Sequence, residues 1–192
     1  MDNPMKIYRL KPIENSIEVL DFSLLDLADI IGDEDLSLIR RQPRTNESLV
    51  AKWQETQCNL ASAYKNGNPV PDVSYWGTYL IMSMMAYELF KSQLENEGEF
   101  LPINVESVQM YIFVPLIFGK EDLSRTVKHF EDGYECGLEQ LSFDADSVAN
   151  KSIFKSLLYG THALFATEKF KLKFEQAGFN GLEFDTDLVS AF

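Results

Sequence analysis

Residues 79–98 read YLIMSMMAYELFKSQLENEG and combine the signals of a strand and of a helix in one short stretch. The apolar run YLIM is typical of a strand, and Ser83 follows it as an N-cap whose hydroxyl can accept a hydrogen bond from a free amide of the first helical turn. Apolar residues then recur at helical spacing as far as Leu94, and Gly98 suits the left-handed conformation that ends many helices. The stretch therefore predicts a strand, a hydroxyl cap, a helix and a terminating glycine.

The same order of signals returns near the C-terminus. The apolar residues HALFA at 162–166 precede Thr167 in the capping position, and Glu168 lies in the first turn, where a negative charge is favourable. Aromatic residues at helical spacing continue to Gly178, and GLEF at 181–184 has the pattern of a closing strand. Two strand–cap–helix units of this kind predict an α+β fold.

Three further stretches have the composition of strands. Residues 6–10, KIYRL, alternate polar and apolar residues before Pro12, and residues 100–105 and 109–114 are separated by a short polar link. Because proline cannot donate to a sheet ladder, Pro102 predicts that its strand lies at an edge. We expect these strands to form a mixed or antiparallel sheet with the two units.

The first 70 or so residues carry weaker signals. Residues 17–39 fit neither the helical nor the strand period, so this N-terminal region is expected to be rich in loops. Leu49, Trp53 and Leu60 could line one face of a helix. The residues NGNPVPD at 66–72 then break the chain and could mark a weak sub-boundary.

Length and charge limit the class of protein. A chain of 192 residues, 45% of them hydrophobic, suits a single domain over residues 1–192. The 30 acidic residues outnumber the 17 Lys and Arg, and the formal charge of −13 disfavours binding to nucleic acid and to anionic membranes. No apolar run approaches the roughly 20 residues that span a bilayer, and the start MDNPMKIYRL lacks the apolar segment of a secretory signal. We expect a cytoplasmic protein.

Motifs with specific catalytic chemistry are absent from the sequence. It contains no GxSxG, GxxxxGK[ST], GxGxxG or HExxH. Cys58 and Cys136 lack metal-ligand spacing and are expected to be buried reduced thiols, while His129 and His162 are too few to form a catalytic zinc site alone. The sequence therefore predicts a protein that is not an enzyme and holds no metal or cofactor.

The acidic residues of segment 131–139 are the first candidates for contact with a partner. Glu131, Asp132, Glu135 and Glu139 are interleaved with Tyr134 and two glycines. An exposed loop is the simpler interpretation; the sharper one is a docking surface, because a negative field steers a basic partner.

Tryptophans supply the second group of candidates. Trp53 and Trp76 would be the best single anchors in a protein interface, where tryptophan often dominates the binding energy.

Two other functions stay open. In a small-molecule or peptide-binding module, Met82, Met84 and Met85 with the aromatic residues around Trp76 would line a pocket, although their spacing favours a core position. In an enzyme, carboxylates such as Asp144 or Asp185 would act, although solvated turn acids are the simpler interpretation of both. These two alternatives predict a deep pocket and a buried carboxylate pair, respectively.

The segment from Asp72 to Phe184 resembles the bacterial polymorphic-toxin immunity family numbered eleven. The resemblance rests on an ordered series of short elements: PVPDVS at 69–74 before the first strand–serine–helix unit, EFLPINV at 99–105, MYIFVPLIFGKEDL at 110–123, SIF at 152–154, and ALFATEKFKLKFEQAGFNGLEF at 163–184 with its GxxG turn. Thr167 stands where serine is usual, which a helix cap tolerates.

The resemblance implies a non-enzymatic antitoxin that binds a cognate secreted toxin and blocks it. The matched residues, such as Asp72, Gly178 and Gly181, are expected to specify the fold. Partner-contacting residues vary with the toxin in such a family, so the resemblance implies no list of them.

Overall fold

The computed structural model of this chain describes residues 5–14 and 16–190. Among these residues the strands are β1 (Ile7–Pro12), β2 (Leu20–Asp21), β3 (Thr56–Leu60), β4 (Val73–Trp76), β5 (Tyr79–Ser83), β6 (Gly98–Val105), β7 (Val108–Pro115), β8 (Val127–Glu131), β9 (Tyr134–Gln140), β10 (Ile153–Ser156), β11 (Gly160–Thr167) and β12 (Leu182–Asp185). The helices are α1 (Leu24–Ile31), α2 (Ser37–Thr45), α3 (Ser62–Lys65), α4 (Met84–Leu94), α5 (Ala145–Val148) and α6 (Glu168–Gln176). The predicted α+β class is confirmed.

The strands form two larger sheets and one separate hairpin. The larger sheet has the order β2-β3-β6-β7-β5-β4, in which β3 runs parallel to β6 and the other neighbours are antiparallel. The smaller sheet has the order β10-β11-β1-β12 and is antiparallel throughout. Strands β8 and β9 pair only with each other in the part of the chain that the structure describes.

One hydrophobic core lies where the two strand–cap–helix units meet. Helices α4 and α6 pack against each other through Phe90 and Phe170, whose ring centroids are 4.5 Å apart. The same cluster takes residues from both sheets, including Met82 of β5 and Leu164 of β11. Each predicted unit therefore buries its helix against the helix of the other unit.

Both units contain the predicted helix, but the caps differ. The Ser83 hydroxyl accepts a hydrogen bond from the Ala86 amide at 3.1 Å, as expected. Thr167 occupies the N-cap of α6 without a capping bond, and its hydroxyl donates to the carbonyl oxygen of Lys151 at 2.8 Å. Gly178 follows α6 with φ +69°, which confirms its predicted left-handed role.

The prediction for Gly98 is wrong. Helix α4 ends at Glu95 in a right-handed conformation, and Gly98 begins β6. A Cβ at position 98 would lie 2.4 Å from the carbonyl oxygen of Val114. The glycine is required by the close approach of two backbones and not by the end of a helix.

Pro102 also occupies a different position from the one predicted. Strand β6 lies inside the larger sheet, between β3 and β7. However, pairing with β3 begins only at Ile103, and the carbonyl oxygen of Pro102 accepts a hydrogen bond from the indole nitrogen of Trp53 at 3.0 Å. The proline is tolerated because the ladder with β3 does not extend to it.

The segment from Ile17 to Ile39, expected to be rich in loops, contains α1 and the start of α2. Ser23 and Asp26 form a reciprocal capping box at the start of α1. The buried carboxylate of Asp33 accepts hydrogen bonds from the amides of Leu38 and Ile39, at 3.0 and 2.8 Å, and so caps α2. Short helices of this kind depend on caps, which a search for hydrophobic period does not detect.

The prediction of a helix along Leu49, Trp53 and Leu60 is wrong, because residues 56–60 form strand β3. The short helix α3, a single turn, begins only after this strand. The possible boundary at 66–72 lies between α3 and β4. Residues from both sides of it, such as Leu27 and Trp76, belong to one buried core cluster.

Candidate protein-docking surface

The acidic segment singled out in the sequence forms the β8–β9 hairpin. Its loop consists of Asp132 and Gly133, both with positive φ (50° and 84°), and Glu131 pairs directly with Tyr134. Two-residue loops with positive φ at both positions match the right-handed twist of a hairpin, and Asp-Gly is a favoured pair for them. The local sequence therefore determines the tight turn.

The hairpin is solvent-accessible along both strands. Glu131, Asp132, Glu135 and Glu139 are all exposed, so the structure gathers on one hairpin the four acids predicted to contact a partner. At its base, the Thr126 hydroxyl bonds to the backbone of Ser142 in both directions. The hairpin is thus held at one end and exposed over the rest of its length.

Large apolar side chains lie among these acids. Phe130 is 56% exposed and Tyr134 is 77% exposed, and Leu123, just before the hairpin, is 74% exposed. Phe130 pairs with Glu135 across the strands, as Tyr134 does with Glu131. Aromatic residues left in water beside charged ones are typical of a surface that another protein covers.

Two bulges re-aim the side chains of β9. The register leaves Cys136 and Glu139 without opposite residues on β8. The Glu139 carboxylate, at one of these bulges, lies 3.3 Å from Nδ1 of His129. Cys136 is exposed, so the expectation of two buried thiols is correct only for Cys58, whose pKa burial raises to about 11.

His129 lies between two carboxylates. Its Nε2 is 3.3 Å from Oε1 of Glu131, and its Nδ1 is 3.3 Å from Oε1 of Glu139. The hydrogen bond to Glu131 has the largest effect in raising the pKa of the imidazole above its ordinary value, and the hydrogen bond to Glu139 has the next largest. Lys128 pairs instead with Glu135, at 2.8 Å from Nζ to Oε2.

The two tryptophans predicted as anchors lie elsewhere. Trp76 is only 2% exposed; its ring stacks on Phe22 with centroids 5.3 Å apart, and its indole nitrogen donates to the Phe22 carbonyl oxygen at 2.9 Å. Trp53 is partly buried against the same core and bonds to Pro102. Trp76 therefore offers no area to a partner in this structure, because the core covers its ring.

An open groove of about 1180 Å³ lies where β1 and β11 separate, with β4 beneath it. The Tyr75 hydroxyl donates a hydrogen bond to the carbonyl oxygen of Leu10 at 2.8 Å, beside the point where the two strands separate. Burial raises the pKa of Tyr75. The residues that line the groove include Pro12, Tyr64, Pro69, Ser74 and His162. This groove is not the pocket expected around Trp76, because the three methionines expected to line that pocket do not line the groove. Met82 is buried in the core, whereas Met84 and Met85 are exposed.

The carboxylates considered for catalysis have structural partners. Asp144 accepts a hydrogen bond from the Ser147 amide and so caps α5. Asp185 pairs with Lys11 at 2.6 Å, and this contact, together with a hydrogen bond from Ser190, lowers the pKa of Asp185 to about 2. Within residues 5–14 and 16–190, no three His, Cys, Asp or Glu side chains converge as metal ligands would.

Sequence reasoning located the four acids but not Phe130 or the hairpin itself. The signal for the turn was available, because Asp132-Gly133 is a favoured hairpin turn pair. The preceding residues 128–131, KHFE, contain one apolar residue and do not alternate, so they carry little strand signal. The positions of Glu139 and Cys136 depend on bulges, and the sequence carries no comparable signal for these.

A scan against protein-family models finds no family that matches the chain, and a search of curated proteins finds no match either. The resemblance to the immunity family therefore stays a prediction. In the described residues, no helix combines the length and the apolar character needed to cross a bilayer.

Proposed function

We propose that this chain is a cytoplasmic immunity protein that neutralises a cognate, basic bacterial toxin by binding it, without catalysis. The observation that supports this function best is the β8–β9 hairpin, on which the exposed Phe130 and Tyr134 each pair across the strands with a glutamate. The sequence resemblance points to the same class of protein.

Charge supports a basic partner. Residues 127–140 carry four acids and one lysine, a net charge of −3 with His129 neutral, and the whole chain carries −13. A toxin that acts on nucleic acid or on another phosphate compound needs a basic cleft, and an acidic hairpin is complementary to such a cleft. Phe130 and Tyr134 would supply the apolar contact area, because aromatic residues contribute strongly to protein interfaces.

The first test is growth rescue. The product of the gene adjacent to this chain's gene is expressed in a sensitive host with and without the chain, and the immunity function predicts that this product arrests growth and that the chain restores it. If co-expression leaves growth arrested although both proteins are soluble, the immunity function is wrong.

A second test assigns the surface. The double variant Glu131→Lys/Glu135→Lys should slow association with the toxin by about tenfold or more at low salt, because it reverses the field that steers the encounter. The matched control is Glu55→Lys/Glu95→Lys, which makes the same change in net charge at two exposed positions outside the hairpin. Equal association rates for both double variants would exclude the hairpin as the docking surface.

The groove between β1 and β11 supports a second candidate, a peptide-binding module. Its volume of about 1180 Å³ exceeds that of most small-molecule pockets and suits an extended segment. His162→Trp would fill the groove from an exposed position without touching the hairpin. Binding of extended peptides by the wild type that is lost in His162→Trp and retained in Glu131→Lys/Glu135→Lys would favour the groove, and no peptide binding by the wild type would exclude this candidate.

A further inference from the structure

The contacts of His129 require a particular protonation state. Both ring nitrogens lie 3.3 Å from a carboxylate oxygen, Nε2 from Glu131 and Nδ1 from Glu139. A carboxylate only accepts hydrogen bonds, and a neutral imidazole carries a single N–H. Only the imidazolium ion can donate to both carboxylates at once.

The other charges of the hairpin do not replace this arrangement. Lys128 is engaged with Glu135, and Asp132 lies in the turn. Tyr134 faces Glu131 across the strands. When His129 is neutral, one of the two carboxylates therefore loses its donor, and the net charge of the hairpin becomes more negative by one because a positive charge is lost.

We infer that His129 is a proton-controlled clasp on the β8–β9 hairpin. The imidazolium joins Glu131 near the turn to Glu139 at the bulge and so ties β8 to β9. Loss of the proton opens the clasp and frees acidic side chains on the hairpin surface.

The clasp would regulate the proposed docking surface, and this consequence rests on the proposed function. A basic partner that contacts Glu131 and Glu139 competes with the imidazolium for the same oxygens, so binding would expel one proton. The affinity would then rise with pH by at most about tenfold per unit while His129 titrates, because a single proton is involved. The clasp itself can be tested on the chain alone.

The experiment is an NMR titration of the full chain with isotope-labelled histidine. The chain has two histidines, so His162→Gln assigns the signals and serves as the control. Glu131→Gln and Glu139→Gln should each lower the titration midpoint of His129, and His162→Gln should leave it unchanged. Below the midpoint both ring nitrogens should carry protons.

Amide hydrogen exchange provides the second readout. After correction for the intrinsic rate, protection of β8 and β9 amides should fall as pH rises through the His129 midpoint, and His129→Gln should abolish this step. A His129 midpoint that neither glutamine variant changes would overturn the clasp, as would a hairpin protection that has no step. Growth rescue is independent of both readouts, so the proposed function can stand if the clasp fails.

Discussion

The Lys155 ammonium group is buried and donates a hydrogen bond to the carbonyl oxygen of Pro43 at 2.8 Å. The side chain is 1% exposed and its Nζ lies 5.1 Å from the ring centroid of Phe118. The contact joins β10 of the smaller sheet to α2, which are far apart in sequence. Burial disfavours the charged form and lowers the pKa of Lys155 to about 8.

Lys155 predicts a stability that rises at alkaline pH. In the folded state its pKa is about 8, and in the unfolded chain it is about 10.4. Between these values the unfolded state binds more protons, so the free energy of unfolding increases with pH, by about 3 kcal/mol over the whole window. Denaturant unfolding of wild type and Lys155→Met from pH 7.5 to 10 measures this, because only the difference between the two isolates Lys155 from the tyrosines.

Lys155→Met should lack this increase of the free energy of unfolding with pH. Lys120→Met, at a well-exposed position, should retain it. A constant difference in stability between wild type and Lys155→Met across this range would contradict the prediction.

Gly181 predicts a large effect of adding one methyl group. A Cβ at this position would lie 1.9 Å from the carbonyl oxygen of Val73, and φ is +109°. We expect Gly181→Ala to destabilise the chain by about 3 kcal/mol or more, because backbone must move to make room. Gly178→Ala is the matched control: its φ is +69° but its Cβ would meet open space, and its expected cost is about 1 kcal/mol. Thermal unfolding of the two variants measures these costs. Equal losses of stability in Gly181→Ala and Gly178→Ala would disprove this account.

We expect the buried carboxylate of Glu97 to hold β10 in place. Its oxygens accept hydrogen bonds from the amides of Ser152 and Ile153, at 2.7 and 2.8 Å, and the residue is 6% exposed. Burial raises the pKa of Glu97. Glu97→Ala would leave two buried amides without acceptors and should lower the free energy of unfolding by about 3 kcal/mol.

The exposed Glu95 provides the control for that experiment. Glu95→Ala should change the denaturant midpoint little, and a comparable loss in both variants would mean that the two hydrogen bonds are not the cause.

Asp185 predicts acid sensitivity. Its pKa is lowered to about 2 by Lys11 and by hydrogen bonds from Ser190 and Asp187. A lowered carboxyl pKa contributes stability above the ordinary value of about 3.9, and this contribution is lost as pH falls through the folded value. The melting temperature should therefore fall more steeply for wild type than for Asp185→Asn between pH 4 and pH 2.

Asp146→Asn, at an exposed position, should follow the wild-type curve. Parallel melting curves for Asp185→Asn and wild type would show that the ion pair does not contribute to this sensitivity.

The agreement between sequence and structure follows the range of the interactions. The predicted roles of Ser83 and Gly178 agree with the structure because both residues act on amides or torsions within a few residues. The Asp132-Gly133 turn is equally local, although the expectation for segment 131–139 is an exposed loop or a docking surface and not a hairpin. Asp33 as a remote cap of α2 also acts over a short distance, but its spacing of five and six residues lies outside the usual capping pattern.

The misses involve contacts between distant segments. The prediction that Gly98 ends a helix is wrong because the backbone that requires a glycine there, that of Val114, belongs to another strand, β7. Trp76 was considered an anchor because composition does not say which large aromatic is covered, and the covering residue, Phe22, belongs to a helix-rich region that the periodicity did not reveal.

The sequence by itself determined the α+β class, the two strand–cap–helix units and the tight acidic turn, because hydrophobic period, caps and positive-φ residues are local properties. Only the tertiary structure decided that α4 packs on α6, that Lys155 is buried against Pro43, and that His129 lies between Glu131 and Glu139. These arrangements depend on strand register, on bulges and on which surfaces exclude water together, and each of them is settled only when distant parts of the chain meet.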